Sequence, residues 1–497
     1  MEKYILAIDQ GTTSTRAILF NQVGIPVCSV GKELRQIYPQ KDFVEHDPME
    51  ILSAAITVAK GAMEKAGISS SQVEAIGITN QRETIVPFDP TNGKPLMNAI
   101  VWQCRRSSAI CEELVEDGMG PTIKEKTGLI IDPYFSATKI QWVFENIPGA
   151  YKRAVDGRLV FGTVDAFLLY HLTGGATLAT DVTNASRTML FNIHTMDYDE
   201  ELLTAFAVPR HALPNVVPSC GLLGTTKKAF FGAEIPITGM AGDQQASLFG
   251  HGCIYPGDTK NTYGTGCFLL MNTGTNAVLT KDLITTVAAT SDGSAQYALE
   301  GSVFVAGAAV KWLRDQLGII QTAAETETIA QSVSDTGGVY MVPAFTGLGA
   351  PHWNMYSRGM IIGINRGTER AHIVRAALEA IAYSAMDVMN LMARAGKNPI
   401  FTLKVDGGAS ANDFLMQFQA DMMNTRVMRP GVMETTALGA AYLAGIATGY
   451  YGMNDPINLW QLEREFAPKM EKEARSTLYR KWHDAVKRTF DWAKPEE

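Results

Sequence analysis

The sequence predicts an α/β protein built on two open sheets, one in each half of the chain. Three observations carry this expectation. Strand-like apolar runs alternate with helix-like ones, as at 73–79, 159–165 and 235–242. A strand–tip–strand unit rich in Gly and Thr occurs at the start of the chain and again near its middle. Three strands end in glycine-bearing turns, and open α/β sheets bind ligands at the carboxyl ends of their strands.

The first unit is Tyr4-Ile5-Leu6-Ala7-Ile8, ending at Asp9. It passes through Gln10-Gly11-Thr12-Thr13-Ser14-Thr15-Arg16 and resumes as Ala17-Ile18-Leu19-Phe20. This reads as a β-hairpin. Its tip is dense in backbone N–H and hydroxyl donors, which suit phosphate oxygens. Asp9 at the strand end suits magnesium, which takes one or two carboxylates plus phosphates. The pattern points to a nucleotide phosphate site; an ordinary polar-tipped surface hairpin is the competing reading.

The next strand, 73–79, runs into polar Asn80-Gln81-Arg82-Glu83. The strand 159–165 precedes an amphipathic helix over 166–172, and the strand 235–242 ends in Asp243-Gln244-Gln245. Turn chemistry in 251–258 marks a boundary that divides the chain into domains 1–251 and 252–497. Beyond it, 259–263, Gly264-Thr265-Gly266 and 267–271 repeat the hairpin and suggest a weak duplication. The strand 401–405 leads into Asp406-Gly407-Gly408 and a helix over 413–423. Adjacent glycines there allow a ligand close to the backbone, and the helix dipole favours an anion.

Composition narrows the class. The chain has 497 residues, 46% hydrophobic and 19% charged, which suits a folded protein of two or three domains. A net charge of −8 argues against nonspecific nucleic-acid binding. Six scattered cysteines with no C-x-x-C pair make neither a disulfide framework nor a zinc site, and the eight histidines lack metal spacing. The uncharged stretch 435–454 is broken by glycines and reads as a buried helix rather than a membrane span. No signal peptide is visible, so a cytoplasmic location is expected.

Taken together, Asp9-Gln10-Gly11-Thr12-Thr13, Tyr263-Gly264-Thr265-Gly266 and Asp406-Gly407-Gly408 resemble the two phosphate loops and the adenosine loop of the actin-like ATPase superfamily. Tyr134-Phe135-Ser136-Ala137-Thr138-Lys139-Ile140-Gln141-Trp142, and the stretches 359–364 and 372–379, resemble the FGGY carbohydrate kinases. The segments 80–84, 102–106 and 242–245 narrow the resemblance to the glycerol kinases of that family. The resemblance implies a two-domain fold on a duplicated ribonuclease-H-like core, with the active site in the cleft between domains. It implies transfer of the γ-phosphoryl of ATP, with magnesium, to glycerol, giving glycerol 3-phosphate and ADP. A homo-oligomer, dimer or tetramer, is also implied.

The same resemblance distributes roles. Asp243 is the expected catalytic base; a helix N-cap is its commoner role on sequence alone. Arg82, Glu83, Trp102, Tyr134, Gln244 and Phe268 are expected around glycerol, where a fixed guanidinium fork and a carboxylate grip vicinal hydroxyls. The bland alternatives are a solvated surface pair for Arg82 and Glu83 and plain core packing for Trp102. Thr12, Thr13, Ser14 and Thr265 are expected at the phosphates. Arg16 would neutralise the transferred group, or be solvated at its strand end. Asp9 is expected at magnesium, and Gly307, Lys311, Gly408 and Asn412 at the nucleoside. Lys311 stands where many relatives carry glutamine.

Some relatives carry a Gly/Arg loop for a sugar bisphosphate or an activating phosphohistidine before the Asp243 strand. The segment 225–232 matches neither, so neither control is expected. Two other activities remain open at this stage: an FGGY kinase for a pentulose or tetritol, and an actin-like ATPase used as a binding module.

Overall fold

Each half is organised on a mixed sheet with the same inner topology. The computed structural model describes residues 2–397 and 399–494. In the first half, β1 (Tyr4–Gln10), β2 (Ser14–Phe20), β3 (Pro26–Glu33), β4 (Val73–Asn80), β5 (Cys220–Thr225) and β6 (Pro236–Gly242) lie in the order β5-β6-β4-β1-β2-β3. In the second, β7 (Thr259–Tyr263), β8 (Cys267–Gly274), β9 (Ile284–Val287), β10 (Tyr297–Val303), β11 (Thr402–Asp406), β12 (Arg426–Pro430) and β13 (Leu462–Phe466) lie in the order β9-β10-β8-β7-β11-β12-β13. Both sheets place a three-strand antiparallel meander beside two parallel strands: β3-β2-β1 with β4 and β6, and β10-β8-β7 with β11 and β12. The two Gly/Thr hairpins, β1–β2 and β7–β8, occupy equivalent positions, so the duplication expected from them is present.

Parallel pairing sets the site. Gln10 and Gly242 both lie opposite Asn80 across the β1–β4 and β6–β4 ladders. The residues that follow these strand ends therefore leave the sheet at one edge. In the second sheet, Thr262 and Asp406 are likewise paired at the ends of β7 and β11.

Most expected strands are shifted or extended by one to three residues, and one is cut short by a helix. The run 159–165 is a strand only over Val160–Thr163, and the helix begins at Val164 and ends at Leu172. A continuous apolar run has no period that separates strand from helix, and Thr163, still extended, makes the break.

The halves meet through two closely packed helices. The helix Asp243–Gly250 continues from β6, and the helix Thr435–Thr448, the buried helix expected from the uncharged stretch, lies across it. A Cβ on Gly439 would collide with the Ala246 carbonyl, and one on Gly250 with the Thr435 carbonyl. Gly77 of β4 and Gly239 of β6 face the Ala440 carbonyl with the same lack of room. Small residues thus let a helix of the second half lie directly on the first sheet, burying Ile5, Ala7, Ile18, Phe20, Ala241, Leu443 and Tyr451 in one shared core.

Behind β6, Asp165 is wholly buried, and burial followed by the neighbouring Asp181 pushes its carboxyl up to about 7. It accepts from the Thr180 hydroxyl at 2.7 Å. Among the described residues, no helix is long and apolar enough to cross a membrane.

Replacing Gly439 by Ala on a solvated helix would stabilise it by roughly 1 kcal/mol. Here overpacking wins, typically costing about 1–3 kcal/mol. Gly439→Ala is expected to lower the melting temperature, measured by calorimetry. Asp165 is neutral in the fold below pH 7 and ionised in the unfolded chain above about pH 4. Its stabilising contribution is complete below pH 4 and lost as pH rises through 7. Asp165→Asn, which stays neutral, is expected to melt at progressively higher temperature than the parent between pH 4 and 7, with a constant gap above.

Candidate active site

Arg82 follows β4 and is 2% exposed. It is not a solvated surface residue. Its Nη1 and Nη2 donate to the Glu300 carboxylate at 2.6 and 3.1 Å. Nη1 also reaches Gln245 Oε1 at 3.1 Å and Nη2 the Tyr134 hydroxyl at 3.3 Å. Nε lies 3.3 Å from Asp243 Oδ1 and 3.6 Å from Glu83 Oε1. The stem of Arg82 runs over Gly242, where a Cβ would sit 2.7 Å from its Cγ and Cδ.

A second buried guanidinium completes the cluster. Arg187 donates from Nε to Glu83 Oε1 at 2.6 Å and from Nη2 to Glu300 Oε1 at 2.9 Å. Glu83, Glu300 and Arg187 are each at most 1% exposed. Burial opposes the charged form of Glu300, but Arg187 and Arg82 prevail and hold its carboxyl at about 2. For Glu83 burial prevails over the same two guanidiniums, and its carboxyl is raised. Glu83 has φ +62°, in a tight turn closed by Thr84 N donating to the Arg82 carbonyl at 2.7 Å. A non-glycine residue in that region is strained, and the surrounding ion pairs hold it there.

Asp243 begins its helix at the end of β6, with its side chain 31% exposed. Oδ1 accepts from Gln244 N at 2.7 Å. Burial raises its carboxyl above the usual range, while Arg82 and Lys260 pull against it. Beside it, the Tyr134 ring meets Trp102 edge-on at 5.5 Å. Trp102 is only half-buried, and its indole N–H donates to Thr12 Oγ1 at 2.9 Å, so it is not simple core packing. It links the Tyr134 wall to the first hairpin tip. Lys139 holds that wall: its ammonium donates to the carbonyls of Pro133, Tyr134 and Phe135 at 2.7, 2.6 and 2.9 Å. Phe268, half-buried on β8, lies opposite Thr262 in the second half.

At the first tip, Gly11 N donates to the Ser14 carbonyl at 2.9 Å, and Thr13 is exposed. Asp9 faces Arg16 across the hairpin. Burial, then Asp243 and Glu434, push the Asp9 carboxyl up to about 7, with Arg16 opposing. Arg16 is paired with Glu434 at 3.1 Å, across the two halves. At the second tip, Thr265 is exposed, and its carbonyl accepts from Ala306 N at 2.8 Å and Ala308 N at 3.0 Å. Gly307 and Gly407 lie too close to the Gly264 and Tyr263 carbonyls for side chains: a Cβ would be 2.6 and 2.5 Å away. The second tip, the Gly307 helix and the Gly407-Gly408 turn therefore stack together. Asn412 caps the helix Asp413–Met423, accepting from Leu415 N at 2.9 Å, and Lys311 is exposed on the Gly307 helix.

The FGGY family of carbohydrate kinases matches across the chain, its N-terminal domain over residues 4–250 and its C-terminal domain over 259–448. The chain belongs to this family. Similar proteins include glycerol kinase 2 of Thermotoga maritima, 57% identical over 99% of this chain and 100% of that one. The glycerol kinase of Caldanaerobacter subterraneus is 55% identical over 99% and 100%. Among solved structures, Plasmodium falciparum glycerol kinase with ADP aligns at TM-score 0.92 and 36% identity, covering 98% of both chains. The actin-like fold expected from the two phosphate loops is thus the fold of this FGGY kinase.

Sequence reading of this FGGY kinase missed Glu300, Arg187, Gln245 and Lys260. Glu300 carries a signal: it is a lone charge inside the apolar strand Tyr297–Val303, which calls for a buried partner. Its partner Arg82 lies 218 residues away, beyond any local pattern. Removing Glu300 leaves two buried guanidiniums short of charge, typically worth about 3–5 kcal/mol. Glu300→Ala is expected to lower stability by that order in urea unfolding, and Arg187→Ala/Glu300→Ala to lose less than the two single changes summed.

Proposed function

We propose that this FGGY kinase is a glycerol kinase, transferring the γ-phosphoryl of MgATP to a terminal hydroxyl of glycerol to give sn-glycerol 3-phosphate and ADP. The observation that carries the reading is the convergence of Asp243, Arg82 and Asp9 from the ends of three adjacent strands, β6, β4 and β1. It is supported by full-length similarity to glycerol kinases at 54–57% identity.

Glycerol offers three hydroxyls and little apolar surface, so its site must be built from paired donors and acceptors. Arg82, Glu83, Tyr134 and Gln244 supply them, with Trp102 and Phe268 as the walls of the carbon edge. Asp243 accepts a hydrogen bond from the attacking hydroxyl. As the new O–P bond forms and the bond to the β-phosphate oxygen breaks, the hydroxyl proton passes to the Asp243 carboxylate. Its raised affinity for protons favours that transfer. The transition state is loose, so positioning and charge supply most of the rate.

Thr12, Thr13, Ser14 and Thr265 cradle the phosphates, and Arg16 leaves Glu434 to meet the transferred group. Gly307, Gly408 and Asn412 border the nucleoside, with Lys311 at its edge. The residues present fit magnesium: burial, then Asp243 and Glu434, raise the Asp9 carboxyl against the pull of Arg16, and a cation beside it would favour its charged form. Asp9 would hold the ion that arrives with ATP; when bound, that ion draws charge from the phosphate oxygens.

Asp243→Asn is expected to reduce kcat by about 10²–10⁴-fold, with ADP affinity by calorimetry unchanged. A coupled assay of ADP release with and without glycerol tests the reading itself. Release that does not depend on glycerol, or prefers a pentulose, contradicts it.

A further inference from the structure

Lys260 lies on β7 in the second half and is fully buried. Its ammonium donates to Gln244 Oε1 at 2.6 Å and to Thr262 Oγ1 at 2.8 Å. Burial brings Lys260 down to about 8, against the pull of Asp406 and Asp243, so it is still an ammonium at pH 7. An ammonium has three donors and no acceptor. The opposite amide orientation of Gln244 would set N–H groups against N–H groups. The oxygen of Gln244 must therefore face Lys260, whatever the symmetry of an amide's outline. Its Nε2 is left without a partner among the described residues. It is not sealed from solvent, and Gln244 keeps 8% exposure beside Asp243.

We propose that Lys260 is a positioning residue for the acceptor pocket, fixing the Gln244 amide with its N–H₂ turned into the cleft as a donor to a substrate hydroxyl. The inference rests on the glycerol reading above and adds to it. A first-half substrate donor is then oriented from the second half, and is correctly set only when the two halves are in register. Thr262, which shares the ammonium, lies on the same strand as Lys260 and anchors it within the second half.

The test is a double-mutant cycle with Lys260→Met and Gln244→Leu, reading the KM of glycerol and of ATP separately. One lost hydrogen bond corresponds to about tenfold. Each single change is expected to raise the glycerol KM about tenfold with the ATP KM unchanged, and the double variant to be no worse than either single one. A multiplicative double effect, or equal rises in both KM values, would show Lys260 acting as a general structural support and overturn the proposal. Gln244→Glu covers the case in which Lys260→Met does not fold. It keeps an acceptor for Lys260, so the melting temperature holds, and it lacks the outward N–H₂, so the glycerol KM rises. An unchanged glycerol KM in Gln244→Glu overturns the proposal. If the parent uses another polyol instead of glycerol, the function fails first, visibly, and the same KM split is read with that polyol.

Discussion

Two guanidiniums and two carboxylates, all out of water, sit where the halves of this molecule meet. Arg82 and Arg187 face Glu83 and Glu300, and Glu300 alone comes from the second sheet. Charges removed from water are tolerated where pairing offsets most of their desolvation, and here Arg187 Nη1 alone of the two guanidiniums' nitrogens is buried without a hydrogen-bond partner. Asp243, a third carboxylate 3.3 Å from Arg82, faces this cluster and the buried ammonium of Lys260, and burial still raises its carboxyl above the usual range. The cluster also holds the strained turn at Glu83, whose φ is +62°.

Around this fixed point the two halves differ in what they hold. The first half carries the acceptor groups on the ends of parallel strands. The second carries the second hairpin tip and the glycine turn beneath it. They are joined by a helix crossing with no room for side chains at Gly250 and Gly439, and by Arg16–Glu434, an ion pair at the mouth. The crossing is tight and apolar. The mouth pair is half-exposed and correspondingly weak, about 1 kcal/mol or less. An anion of higher charge density can therefore take Arg16 without disturbing the crossing.

The fold was largely legible because its information is local. Alternating apolar runs gave β1, β2, β4 and β6, and the Gly/Thr tips gave the two hairpins and hence the duplication. Residues at or just past strand ends, such as Asp9, Arg82 and Asp243, can be placed from the same runs. The burial of the Arg82–Glu83 pair could not be. An adjacent Arg and Glu look like a solvated pair until Glu300, from a strand of the other half, and Arg187, from the turn after the helix Val182–Ala185, arrive to neutralise them. Lys260 was hidden in the same way, since its acceptor, Gln244, lies on a helix of the other half. The limits of the 159–165 strand were lost to a continuous apolar run, where helix and strand share one pattern.

In the proposed reaction an acceptor hydroxyl at Asp243 and the terminal phosphate at the two hairpin tips face each other across one cleft. The most direct measurement is a crystal structure with glycerol and a non-hydrolysable ATP analogue bound together. A glycerol oxygen is expected within about 2.6–3.2 Å of the Asp243 carboxylate, with the γ-phosphate in line behind it and held by Thr12, Thr13 and Thr265. Glycerol bound away from Asp243, or a γ-phosphate pointing out of the cleft, would contradict it.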